Sequence, residues 1–330
     1  MKEFELIKYL TNENSQNCDL LRMGIGDDCA VIKNKVDDWL VTTDALFEGV
    51  HFDLSYTPFY LLGRKSLSVN LSDIAAMGGE PLFYTIALGI PNGVNPENLK
   101  KMYDGMNDVA SLYNVAMIGG DTCNSQSGLA LSITLIGKVP AKKAILRKGA
   151  LSGDAIYITG TAGEAALGFN CFQKKRTGSD VERFLKRFND PEPRIKAGKW
   201  LMSQNIVTSM IDISDGLSQD LSHIAEDSKV GFKIYADNLP LSQNFCSVAR
   251  ELDIDPLKLV LTGGEDYELL FTVRKNDADR FEALFKKNKD DIGCLITKIG
   301  EITSDKDERL IVDKKGNLIT FDKTGFEHNI

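Results

Sequence analysis

Asp28, Asp44, Asp73, Asp121, Asp212 and Asp215 are the residues through which this chain could do chemistry: each follows an apolar segment with Gly, Ser or Thr close by. Asp73 stands in NLSDIAAMGG, among Leu71, Ile74, Ala75 and Ala76, where an ionised carboxylate is costly to bury unless something cationic meets it. Taken one at a time, such acids are ordinary turn or helix-end residues. Taken together, they point to a metal. If they converge, several divalent cations must relieve their repulsion, because carboxylates a few ångströms apart cannot all stay ionised unaided. Thr42 and Thr43, beside Asp44, add hard oxygen atoms of the kind magnesium prefers. Magnesium held in this way serves polyphosphate chemistry, bridging phosphate oxygens so that two anions can approach.

The elements that must position these acids alternate between strand and helix. Gly24 and Gly26 turn the chain ahead of Asp27 and Asp28, and a strand resumes at Cys29. Asp38 to Leu46 reads as a strand ending in Thr42, Thr43 and Asp44. Thr57 and Pro58 are expected as N-cap and first residue of a helix near whose end Asp73 falls. A strand PLFYTIALGIP, a helix from Asn95 to Asn114 with Leu99, Met102, Met106 and Val109 at helical spacing, and strands VAMIGGDT and LALSITLIGKV follow. The polar segment Lys138 to Gly153, carrying Pro140 and Arg147, is the expected boundary between a domain over 1–140 and a second over 150–330.

The second half opens with DAIYITG and the helix of TAGEAALGF. Gly160, Gly163 and Gly168 fit neither Rossmann nor Walker A spacing and read as packing. After a charged helical connection over 174–194 and a helix to Asn205, TSMIDISDGL delivers Asp212, Ser214 and Asp215. GGEDYELLFTV places Glu265, Asp266 and Glu268 ahead of a strand, and a last helix, the strand CLITKIGEI and a hairpin at Lys315-Gly316-Asn317 close the chain. Both halves mix strands and helices, so the fold class is α+β, two related mixed α/β lobes.

Composition narrows the function. With 330 residues, 43% hydrophobic and 26% charged, the chain has the make-up of a globular protein large enough for two cores. A formal charge of −8 without a long basic run argues against a nucleic-acid partner. The cysteines, at 18, 29, 123, 171, 246 and 294, form no Cys-x-x-Cys pair and suggest neither zinc nor a disulfide framework. MKEFELIKYL reads as a charged amphipathic helix without a signal-peptide core, and no apolar run reaches the ~18 residues of a membrane span. These features place the protein in the cytoplasm, with no membrane partner.

The blocks GIGDDCAV, TTDALFEGVHF, VNLSDIAAMGG, IGGDT, DISDGL and GGEDYELLF, in this order and over nearly the whole chain, resemble the thiamine-monophosphate kinases. That family is related to aminoimidazole ribonucleotide synthetase and selenophosphate synthetase, ATP users without a Walker A loop. The resemblance implies a homodimer formed through the N-terminal lobes and magnesium-assisted, direct in-line transfer of the γ-phosphoryl group of ATP to thiamine monophosphate, giving thiamine diphosphate. It implies several magnesium ions held by Asp28, Thr42, Thr43, Asp44, Asp73, Asp121, Asp212 and Asp215. ATP would meet Tyr103, Gly120, Asp121, Arg147 and Ser214, and the thiamine end His51, Glu265 and Phe326. No residue is assigned as covalent nucleophile or general base. Read without the family, Tyr103 serves equally as a surface helix residue, His51 reads as a surface histidine and Phe326 as a packed C-terminal aromatic, whereas Arg147 is the cation its loop position selects. The tail DKTGFEHNI lacks the extra Trp or Lys-Gly pair common in the family near its final aromatic.

Other readings of the same residues are an aminoimidazole-ribonucleotide-synthetase-like enzyme, a metal-dependent phosphohydrolase and a non-enzymatic nucleotide sensor. Selenophosphate synthesis is disfavoured, because neither Cys18 nor Cys29 has the glycine-rich context that such an enzyme uses.

Overall fold

Period-two burial builds the first sheet. In β3 (Asp37–Phe47), Asp38, Leu40, Thr42 and Leu46 are buried while Thr43, Ala45 and Phe47 are exposed, so alternate residues serve opposite faces. The computed structural model describes residues 18–319, which leaves the expected N-terminal helix and Phe326 outside the described residues. The strands β1 (Leu21–Met23), β2 (Ala30–Ile32), β3, β4 (Glu80–Pro91), β5 (Ala116–Ser125) and β6 (Ala130–Pro140) form one sheet in the order β1-β2-β3-β6-β4-β5. Within this sheet, among the described residues, only β4 and β5 pair in parallel.

Two helices, α1 (Phe59–Ala76) and α2 (Pro96–Tyr113), cover the buried face of this sheet. They cross closely, because Gly63 and Gly105 leave room for a neighbouring backbone. A Cβ on Gly63 would stand 1.8 Å from the Met102 carbonyl, and one on Gly105 2.0 Å from that of Tyr60. The expected N-cap is corrected: α1 begins at Phe59 with Pro58 as N-cap and no side-chain cap, while the Thr57 N–H bonds the Asp53 carbonyl at 2.8 Å. Downstream, α1 continues to Ala76, which puts Asp73 in its last turn.

The second sheet is apolar on both faces. It joins β7 (Ala155–Thr159), β8 (Val207–Asp212), β9 (Gly231–Tyr235), β10 (Leu269–Val273), β11 (Ile296–Thr303) and β12 (Arg309–Val312) in the order β12-β9-β11-β7-β10-β8. Ala155, Tyr157 and Phe271 on one face belong to a core continuous with the first lobe, shared by α5 (Ile195–Gln204) and α9 (Ala278–Ile292). Ile156, Ile158 and Leu270 on the other face pack with α3 (Glu164–Gln173), α6 (Leu217–Ser228), α7 (Phe245–Glu251) and α8 (Pro256–Thr262). The charged connection contains α4 (Glu182–Asn189). The 141–154 segment between the sheets is docked: Ile145 N–H bonds the Met77 carbonyl at 3.2 Å and Met210 N–H bonds that of Leu146 at 3.1 Å. The short strands β1, β9 and β12 carry too few residues for a sequence period to announce them. Among the described residues no helix is long and apolar enough to cross a membrane.

Candidate active site

Three carboxylates from three elements converge. Asp28 in the loop before β2, Asp73 in the last turn of α1 and Asp212 at the end of β8 each bring an oxygen within 4.8 Å of the other two. Neighbouring donors fix them. The Thr42 hydroxyl donates to Asp73, Ser72 Oγ donates to Asp212 at 2.6 Å, and Arg147 donates to Asp28 through Nε at 3.0 Å and through Nη2. Asp44 stands beside them, its own N–H donating to the buried Asn70 side chain at 3.2 Å. A cavity of about 130 Å³ opens here, lined among others by Asp44, His51, Asp73, Asp212, Ser214 and Glu265.

Burial and mutual repulsion push these acids toward the protonated form. Asp212 is raised to about 8, first by burial and then by Asp28, and Asp44 to about 6 by the same two causes. Asp73 is held well above the carboxylate range by burial, then Asp44 and Asp212; it also lies at the negative end of a helix dipole, a further penalty on its charge. Burial raises Asp28 while Arg147 opposes it. Asp27, raised to about 7 by burial and then Asp28, accepts the N–H groups of Asp28 at 3.0 Å and Arg147 at 3.1 Å, which ties the GIGDD turn to the interdomain segment.

The residues fit a hard divalent cation. Asp28 Oδ2 is buried without a hydrogen-bond partner among the described residues, and the converging donors are all oxygens. The adjacent Cys29 does not change this, because burial, followed by Asp73 and Asp28, holds its thiol protonated.

The remaining expected residues fall into separate places. Thr43 points to the other face of β3, where it bonds the Ile133 carbonyl at 3.0 Å and meets Thr134 at 3.2 Å. Asp215 does not join the Asp28 group; its carboxylate lies with Asp220 and His223. Ser214 and His51 reach the cavity, the His51 Nδ1 accepting from the Phe47 N–H at 3.1 Å. Glu265 also reaches it, at a backbone φ of 67° and paired at 2.8 Å with Lys65, whose side chain is 2% exposed. Tyr103 packs on the helical layer of the first lobe beside Tyr84. Gly120 and Asp121 sit on the exposed strand β5. The register puts Gly120 in one row with Ile86, Ile133 and Asp44, three strand spacings or roughly 14 Å from Asp44. Asp121, one residue on, shares its row with Ala87, Ser132 and Ala45 and so faces the opposite side.

Two buried residues of the site had gone unmarked. Asp220 Oδ2 accepts the N–H groups of Ser214 at 3.1 Å, Asp215 at 3.2 Å and Gly216 at 3.1 Å, so it shapes the DISDGL turn. An acid in the first turn of a helix behind a glycine was the available signal. Lys65 neutralises Glu265 and lies 4.4 Å from the centroid of the Phe188 ring. A lysine inside an otherwise small and apolar helix face was its only mark.

Comparison with known proteins shows the family and the fold. Residues 26–139 match the family described as AIR synthase related protein, N-terminal domain, and residues 152–313 match the corresponding C-terminal domain. The chain is 33% identical to the thiamine-monophosphate kinase of Bacillus subtilis over 99% of both chains, and 36% identical to that of Escherichia coli K12 over 99% of this chain and 98% of that one. Among solved structures it is similar to AaThiL complexed with AMPPCP and TMP, with a TM-score of 0.84 and 29% identity over 99% of this chain and 97% of that one.

Proposed function

The chain belongs to the thiamine-monophosphate kinases within the AIR synthase related family, and from that premise we propose how its residues carry the transfer of the ATP γ-phosphoryl group to thiamine monophosphate. The observation that carries the proposal is the convergence of Asp28, Asp73 and Asp212 beside Asp44. Magnesium ions bound to these carboxylates would neutralise them and allow two phosphate-bearing substrates to share one cavity. The chain itself supplies alignment. Arg147 holds Asp28 and offers the cavity's nearby positive charge, Thr42 and Ser72 orient Asp73 and Asp212, and Asp220 sets the turn that presents Ser214 and Asp215. The acceptor phosphate is already an anionic nucleophile at neutral pH, so in-line transfer needs positioning rather than a base or a covalent relay. A structural relative's complex with an ATP analogue and TMP supports the two-substrate reading.

The same proposal assigns residues 1–140 to metal and ATP binding and to dimerisation, and 150–330 to the second α/β domain. His51 and Glu265 face the thiamine end; because Lys65 already pairs with Glu265, that carboxylate orients rather than supplies net charge. A homodimer through the first lobe is supported by β5, whose residues 116–124 are all exposed along an edge that is unpaired among the described residues and includes Met117 and Ile118. In such a dimer Gly120 and Asp121 would lie at or near the contact between copies, which accommodates their distance from Asp44. The cytoplasmic placement rests on free cysteines throughout the described residues.

A product assay tests the reading. Thiamine diphosphate should form from ATP and thiamine monophosphate only when magnesium is present. ATP-independent phosphate release would point instead to a hydrolase, and ligand binding without turnover to a sensor.

A further inference from the structure

A second cleft, of about 520 Å³, opens between the lobes and shares no lining residue with the acidic cavity. Its volume is in the range of small-molecule sites. Five cations line it: Arg64 from α1, Arg183, Lys186 and Arg187 from α4, and Arg194 just before α5. Arg183, Lys186 and Arg187 share one face of α4 at i, i+3 and i+4. Residues 174–196 carry eight Lys and Arg against four Asp and Glu, in a chain whose net charge is −8. The cleft is thus built from the locally basic part of an acidic protein.

Four acids meet these cations, and they fix more than they cancel. Glu268, fully buried, receives Arg187 Nη2 at 2.6 Å and Arg194 Nε and Nη2 at 2.6 Å each. Glu164, also buried, forms an ion pair with Arg183 Nε at 2.7 Å and Glu192 one with Arg194 Nη1 at 3.0 Å, while Asp190 accepts from Arg64 Nε at 2.8 Å. Guanidiniums held this way are pre-organised; that of Arg183 engages its carboxylate through Nε, which leaves its forked outer nitrogens for another anion, while that of Arg64 pairs with Asp190 through Nε and also meets the Tyr60 side chain. Lys186 is exposed and has no ion pair among the described residues.

We propose that this cleft is a second binding site, taking a small polyphosphate-type anion at the rim formed by Arg64, Arg183 and Lys186. Arg187 and Arg194, occupied by Glu268, contribute field rather than direct bonds. Because Arg64 comes from the first lobe and α4 from the second, the site exists only where the lobes meet.

Titration of the full-length protein with inorganic pyrophosphate in the presence of a chelator tests this, since without divalent cations the acidic cavity has nothing to bridge its carboxyl groups to an anion. Saturable binding is expected, weakened about tenfold or more by Arg183→Ala/Lys186→Ala and also weakened by added salt. Lys186→Glu, at an exposed position that leaves every ion pair described above intact, should weaken it in the same direction, while Arg147→Ala should leave it unchanged. No saturable binding, or binding lost in Arg147→Ala and kept in the α4 variants, would overturn the proposal.

Discussion

The Ser72 hydroxyl donates to the Asp212 carboxylate at 2.6 Å, with both side chains buried, and so joins the helix of one lobe to the last strand residue of a strand in the other. Asp73, the next residue, is thereby brought to the same point. The site is an interlobe structure, and substitutions in either lobe should be felt there.

Asp73→Asn and Asp44→Asn should each lower turnover more than tenfold, about 1.4 kcal/mol of barrier or more. Steady-state rates at limiting magnesium check this. A variant retaining wild-type turnover under those conditions removes its residue from the metal-binding set.

The metal-free protein should lose stability as pH rises from about 4 to about 8. Asp44, Asp27 and Asp212 are raised to about 6, 7 and 8 in the folded state, above the ~3.9 of an unfolded Asp, so the folded chain binds more protons across this window. The stabilisation that protonation gives is complete below about pH 4 and falls progressively above it, its loss finished as pH passes each folded value. Saturating magnesium should flatten the slope and raise the melting midpoint. Thermal unfolding with and without the metal measures both, and identical slopes would contradict the cluster.

Asp220→Ala should loosen the Ser214–Gly216 turn, leaving three backbone donors without their acceptor and destabilising the fold by roughly 1–3 kcal/mol. Its distinguishing effect should be a raised Michaelis constant for ATP and a higher magnesium requirement. Destabilisation alone, with both values unchanged, would reduce Asp220 to a structural role.

Thiamine monophosphate should be accepted and unphosphorylated thiamine should not. A free hydroxyl needs a proton acceptor, and the carboxylates of Asp28, Asp73 and Asp212 are grouped for a cation instead. Comparing the two acceptors at equal concentration decides it; comparable turnover of thiamine would show the acceptor site to be wrongly conceived.

The acids of the central group were legible because each closely follows an apolar segment, Asp28 in the loop before β2, Asp73 in the last turn of α1 and Asp212 as the last residue of β8, a pattern local enough to read. Thr43 shows what period-two alternation already held: Thr42, Thr43 and Asp44 lie on one strand, so their side chains cannot all face one site. Asp121 shows what it did not hold. Its distance from Asp44 depends on β6 and β4 lying between β3 and β5, an order set by long-range pairing. Lys65 and Asp220 were missed for a related reason: each acts through a contact that the folded chain creates.

The central claim is that Asp28, Asp73 and Asp212 together hold a divalent cation, and anomalous diffraction from crystals grown with Mn2+ and a non-hydrolysable nucleotide tests it most directly. The account predicts a manganese peak bonded to oxygens of these three side chains, lost in Asp73→Asn. Full nucleotide occupancy with no peak among them, or a peak unchanged in Asp73→Asn, would contradict it.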